Sequence, residues 1–169
     1  MRKTSTYMRK RKALITDGVM AIKNPMHLMW QCRTFNKDDG TDQNAQFTLN
    51  LIVDAYERMC NGVSTDTDDF DYLAHAVGVA EIRLSEMGGD KTVALAVISD
   101  ANAGLTRARN RYLKWGKLEL DKQAVEHIGE ALDMYETILI ESSPRLMANA
   151  VETRLRVLAK LAKQEAVAV

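Results

Sequence analysis

From Lys91 to Glu141 apolar residues recur at helical spacing on both sides of one short break, which holds Gly116 and Asp121. Before the break Ala94, Ile98, Ala101, Leu105, Ala108 and Tyr112 share a face, with Val97 and Trp115 at its edge. After it Val125, Ile128, Leu132, Tyr135 and Leu139 do the same. An apolar stripe every three or four residues predicts an amphipathic helix. A short break makes the two helices antiparallel neighbours. Gly116 suits a left-handed helix end, Asp121 suits the next N-cap, and Leu120 with Val125 suits a hydrophobic staple. This hairpin reads as the scaffold that the rest of the chain covers.

Three further long helices are expected. One spans about 42–60 and places Phe47, Leu51, Ala55 and Met59 on one side, with Ile52 and Tyr56 beside them; Asn61-Gly62 closes it. The next spans about 67–87, with Phe70, Leu73, Val77, Ala80, Leu84 and Met87 as its buried stripe and Gly88-Gly89 as its stop. The hairpin follows, its first helix capped by Asp90. Ser143-Pro144 then opens a last helix to about Lys163, burying Met147, Val151, Leu155, Leu158 and Leu161. Nearer the N-terminus, Asn24-Pro25 predicts a short helix to about Cys32, and residues 36–41 predict a loop. Leu118 to Leu120 is too short to make a strand with a partner. The fold class is therefore all-α: a single up-and-down bundle of four to five helices at 13–169, preceded by a basic flexible arm at 1–12.

With 169 residues the chain can bury a full core. Its 23 basic and 23 acidic side chains cancel, so total charge argues for no nucleic-acid or membrane partner. The charge is nevertheless segregated. Eight basic residues against Asp17 give +7 over residues 1–34, and six acids against Arg83 give −5 over 66–87. The two hairpin helices carry +4 and −4. No apolar run approaches the roughly 20 residues of a membrane span. Cys32 and Cys60 suggest no disulfide framework, and a cytoplasmic location is expected.

Reaction chemistry finds little support. His27, His75 and His127 have no second ligand at metal spacing on one helix face, so no metal and no cofactor is expected. Asp66 to Asp71 resembles a cation loop only superficially, because Phe70 interrupts the alternating ligands and no Gly follows. Its carboxylates suit the positive end of a helix instead. No P-loop, dinucleotide fingerprint or nucleophile elbow is present, and no catalytic residue is assigned.

Two basic features remain. The arm holds Arg2, Lys3, Arg9, Lys10, Arg11 and Lys12, with Tyr7 among them. On the hairpin, Arg107, Arg111 and Lys114 share the face opposite Leu105, while Arg109 falls within about 40° of the buried stripe. Arg109 should therefore find a carboxylate or carbonyl inside the bundle. The arm and the three exposed cations are the candidate partner-binding residues.

The arm MRKTSTYMRKRKAL, the Asn24-Pro25 stretch and the turn RNRYLKWGKLELD together resemble small all-helical proteins, without assigned activity, from temperate-phage early regions of proteobacteria. The resemblance implies a phage or prophage context and supplies no catalytic residues. It favours a non-enzymatic interaction protein acting on a host protein complex, such as a defence system. Self-association is a further expectation, with the arm of one copy on an acidic face of another, either Asp68 to Glu86 or Glu126 to Glu141. The alternative is a nucleic-acid-associated protein in which the arm and the Arg107 to Lys117 cluster track phosphates.

Overall fold

A computed structural model describes residues 43–167. Five helices follow in order: α1 (Gln43–Cys60), α2 (Thr67–Glu86), α3 (Thr92–Trp115), α4 (Lys122–Glu141) and α5 (Pro144–Val167). The all-α bundle is the architecture read from the sequence. The arm, the short helix from Pro25, the 36–41 loop, His27 and Cys32 lie outside the described residues, as do the side chains of Phe47 and Leu161.

The helix ends follow local chemistry. α1 closes in a Schellman arrangement: Val63 N–H donates to Arg58 O (3.0 Å) and Gly62 N–H to Met59 O (3.4 Å), with Gly62 at φ 65°. Asp66 caps α2 by accepting from Asp68 N–H at 3.2 Å. Asp121 caps α4 by accepting from Ala124 N–H at 2.8 Å. Gly116, at φ 71°, ends α3. Ser143 caps α5 through Leu146 N–H. One cap is displaced from expectation. Lys91 holds the position before α3, while Asp90 accepts from the backbone N–H and hydroxyl of Thr92.

The centre of the bundle is α2, not the α3–α4 hairpin. α2 packs against each of the other four helices, whereas α5 rests mainly on α2. From Leu73 to Ala80 every residue is buried, which is more than two turns with no solvent face. A helix apolar all round belongs in a core. The small residues Ala74, Ala76 and Ala80 let neighbouring helices pack closely, and Gly78 leaves room for the Arg154 side chain. The predicted stripe of Phe70, Leu73, Val77, Ala80 and Leu84 is buried, but it is only one of several contact faces. Met87 is a correction: it lies past the last helical turn and is 39% exposed.

The hairpin itself packs closely. Gly104 on α3 meets Ala124 on α4, where an added Cβ would lie 2.9 Å from the Ala124 Cβ and 3.1 Å from its Cα. The connection between these helices also departs from expectation. Leu118 forms an isolated antiparallel bridge with Ser64, and Leu120 N–H donates to Met59 O at 3.1 Å. Leu118 and Leu120 are both buried, so this segment does have a partner: the α1–α2 loop.

Gly104→Ala is expected to destabilise the protein by about 1–3 kcal/mol in urea unfolding, because Ala124 contributes backbone as well as side chain to the contact. Gly88→Ala, where a Cβ meets nothing within 4 Å, is expected to change stability by less than about 1 kcal/mol.

Candidate functional site

The loop between α3 and α4 gathers the predicted cations. Arg107 pairs with Asp121 through two hydrogen bonds, Nε to Oδ2 at 2.9 Å and Nη2 to Oδ1 at 3.2 Å. Arg111 donates to Glu119 O (2.6 Å) and to Asp121 Oδ2 (3.3 Å). One carboxylate thus caps α4 and holds two guanidiniums. The Arg107 hydrogen bonds, followed by the Ala124 N–H and the charge of Arg111, hold its pKa down at about 2. Lys114 bends over its neighbour, with Nζ 4.6 Å from the Trp115 ring centroid. Trp115, expected at the edge of the core, is 60% exposed, and Leu113 and Val63 are also exposed. The Ser64–Leu118 bridge puts Val63 at the same end of the bundle as these residues.

Beneath that end, Asp69 is buried and accepts from two Arg58 nitrogens, Nε at 2.9 Å and Nη2 at 2.7 Å, and from the Ser64 hydroxyl at 2.8 Å. The acids of residues 66–71 therefore divide their work. Asp66 caps, while Asp69 ties α2 to α1. Asp71 is buried too, whereas Asp68 is half-buried and Glu81 and Glu86 are exposed. On α4 Glu126, Glu130, Asp133, Glu136 and Glu141 are all exposed. Arg2, Lys3, Tyr7, Arg9, Lys10, Arg11 and Lys12 lie outside the described residues.

A second feature was only half legible. α3 and α5 lie against α2 and leave a cleft of ≈190 Å³ between them. Arg109 and Arg154 both line it, beside Asn102, Thr106 and Glu81, over a floor that includes Ala74. Arg109 is buried, as its place near the stripe required. Arg154 was missed, because it reads as one charge among many on α5. The signal for it lies on α2: a Cβ at Gly78 would come within 2.6 Å of the Arg154 Cζ, so the missing side chain makes room for a guanidinium. Burial lowers the Arg154 pKa, and Glu81 opposes that shift.

No family model, no curated protein and no solved structure matches the chain.

His75 is fully buried on α2, and its Nδ1 has no hydrogen-bond partner. Burial, then the Arg154 charge, pushes its pKa from 6.5 down to about 3. It is a neutral core residue. On α1 the Tyr56 hydroxyl donates to Val125 O at 2.7 Å, and burial together with Cys60 raises its pKa to about 12. Cys60 is a free, half-buried thiol, and burial raises its pKa as well. A raised thiol pKa disfavours the nucleophilic thiolate. Among the described residues, no three His, Cys, Asp or Glu side chains are grouped to hold a metal ion.

Acid should act in two windows. The unfolded chain takes up a proton at His75 near pH 6.5, whereas the folded chain resists until about 3. Stability should therefore fall as pH drops through that interval, by at most about 1.4 kcal/mol per pH unit. Asp121 contributes stability above about pH 3.8 that is lost as pH falls toward 2. Urea midpoints measured from pH 8 to 3 should show the first slope, and His75→Leu should flatten it. Separately, Asp121→Ala should cost about 1–2 kcal/mol at pH 7 through the lost cap and the freed arginines, with Asp121→Asn costing less.

Proposed function

We propose that the protein is a non-enzymatic binding protein whose partner is a protein complex, and that the loop end of the bundle is its docking surface. The observation that carries this reading is Trp115, 60% exposed at the C-terminal end of α3, with Leu113 and Val63 also exposed at that end of the bundle. Trp is among the residues most enriched at the energetic centres of protein–protein interfaces, where its large area is buried against the partner. The platform beneath is pre-organised. The Asp121 clamp, the Ser64–Leu118 bridge and the Leu120–Met59 hydrogen bond fix both loops from below. A rigid loop loses little freedom on docking. Lys114 and Lys117 flank the tryptophan and favour an acidic rim on the partner. The phage resemblance supplies the class of partner, a host complex such as a defence system, with the basic arm as a second contact.

Nucleic-acid binding is the weaker reading. Phosphates compete with Asp121 for Arg107 and Arg111, so two of the cations proposed to track a backbone already have a carboxylate. Binding carried by Lys114, Lys117 and the arm would weaken steeply with salt.

A photo-crosslinking residue at Leu113 of the full chain, expressed in a proteobacterial host, is expected to give a discrete protein adduct. Trp115→Ala should abolish it while leaving the unfolding midpoint unchanged. Adducts that are nuclease-sensitive, or that survive Trp115→Ala, would overturn the reading. A gel shift on DNA and RNA at low salt is expected to show no complex.

A further inference from the structure

We propose that α5 is an acid-released clasp: when His75 takes up a proton, α5 leaves α2 while α1 to α4 stay packed. α5 rests mainly on α2, so its docking depends on one interface. Met147, Ala150, Val151 and Leu158 are its buried apolar residues and hold it down. Arg154, on the same helix, opposes them. Its guanidinium crosses the α2 backbone at Gly78, where an added Cβ would lie 2.6 Å from its Cζ. Nη2 reaches Ala74 O only at 3.5 Å, and Nε is buried with no hydrogen-bond partner. The packing that places Nε there also keeps water from it. A donor buried without an acceptor is costly, and the cost ends once α5 leaves and water reaches the nitrogen.

His75 belongs to the same turn of α2, between Ala74 and Gly78, and is buried with its Nδ1 unpartnered. A protonated imidazole carries two N–H donors. Charging His75 in place would therefore add a donor with nothing to meet and set a second cation against Arg154. Burial and then the Arg154 charge are what keep its pKa at about 3 rather than 6.5. The other charged or titratable groups on the elements around α2 are engaged elsewhere. Arg58 of α1 is held by Asp69, and Arg83 of α2 by Glu86 and Ser142. Asp71 on α2, Arg109 on α3 and Tyr135 on α4 each have an interaction of their own. When α5 departs, Arg154 goes with it and that side of α2 meets water, so His75 takes its proton at an ordinary pH. Between pH 6.5 and 3 the released state then binds one proton more than the docked state. Each unit of acidification favours release by about tenfold. The rest of the bundle keeps its ties. The Asp121 clamp stays charged through most of this window, and α2 remains enclosed by α1, α3 and α4. Arg83 donates to Ser142 beside the start of α5, so the helix leaves from a fixed root. The clasp is independent of the loop-end docking surface, and either assignment stands without the other.

The test is hydrogen exchange of the full chain at pH 7.5 and pH 5.5, read by mass spectrometry and corrected for the intrinsic pH dependence of exchange. Amides of residues 147–158 are expected to open about tenfold more often at pH 5.5, while those in the middle of α3 and α4 change by less than about threefold. His75→Leu should make the α5 opening independent of pH. Arg154→Met replaces the buried cation with an apolar chain of similar length, and should raise α5 protection at pH 7.5 and shrink its response to acid. This second variant keeps the test decisive should His75→Leu fail to fold. The proposal is overturned if α5 opens equally at both pH values, or if α3 and α4 lose protection by the same factor as α5. It is equally overturned if either variant responds to acid as the unaltered protein does.

Discussion

The burial of α2 on every side is the constraint on which the other elements depend. A helix with no solvent face from Leu73 to Ala80 must be covered from several directions. Four helices supply that cover. Apolar contact provides the drive, at roughly 25 cal/mol per Å² removed from water. Small residues decide the geometry. Ala76 and Ala80 admit neighbouring helices, and Gly78 admits a charged side chain. Gly104 repeats the device between α3 and α4, and Gly129 does so where the Tyr56 hydroxyl approaches α4. Hydrophobicity draws the helices together, and the missing side chains set how near they come.

Charge has a different role at each depth. At the loop end Asp69 holds Arg58 and Asp121 holds Arg107 and Arg111 through several hydrogen bonds, fixing connections that apolar packing alone would leave free. Arg83, at the other end of α2, is buried against Glu86 and the Ser142 hydroxyl, tying α2 to the α4–α5 junction. These are partly desolvated contacts in which geometry is satisfied by several donors. They specify how elements meet more than they add stability. Arg154 is the exception, since its buried Nε has no hydrogen-bond partner.

The helices were legible because their signals are local. Caps at Asp66, Asp121 and Ser143 and left-handed glycines at 62 and 116 are properties of a few adjacent residues. Helical periodicity likewise exposed the core face of α3 and the unusual position of Arg109. The hub was less legible. A stripe search on α2 finds Phe70, Leu73, Val77, Ala80 and Leu84 and stops, though the uncharged run LAHAVGVA between them was the better clue. Length and pattern made the α3–α4 hairpin look central, but centrality depends on how many sides are covered. Arg154, the Ser64–Leu118 bridge and the exposure of Trp115 arise from contacts between distant segments, and no spacing rule contains them.

The two ends of the bundle differ in how freely the chain can change length. At the end where Ser64 meets Leu118, an added residue in either loop would shift a buried leucine out of register with its partner. At the other end Gly88 and Gly89 are exposed, and an added Cβ at either would meet nothing within 4 Å. Lengthening this turn costs only the slowly growing entropy of loop closure. The molecule is thus fixed at one pole and extensible at the other, and new sequence inserted at residues 88–89 would leave the hub and both loops where they are.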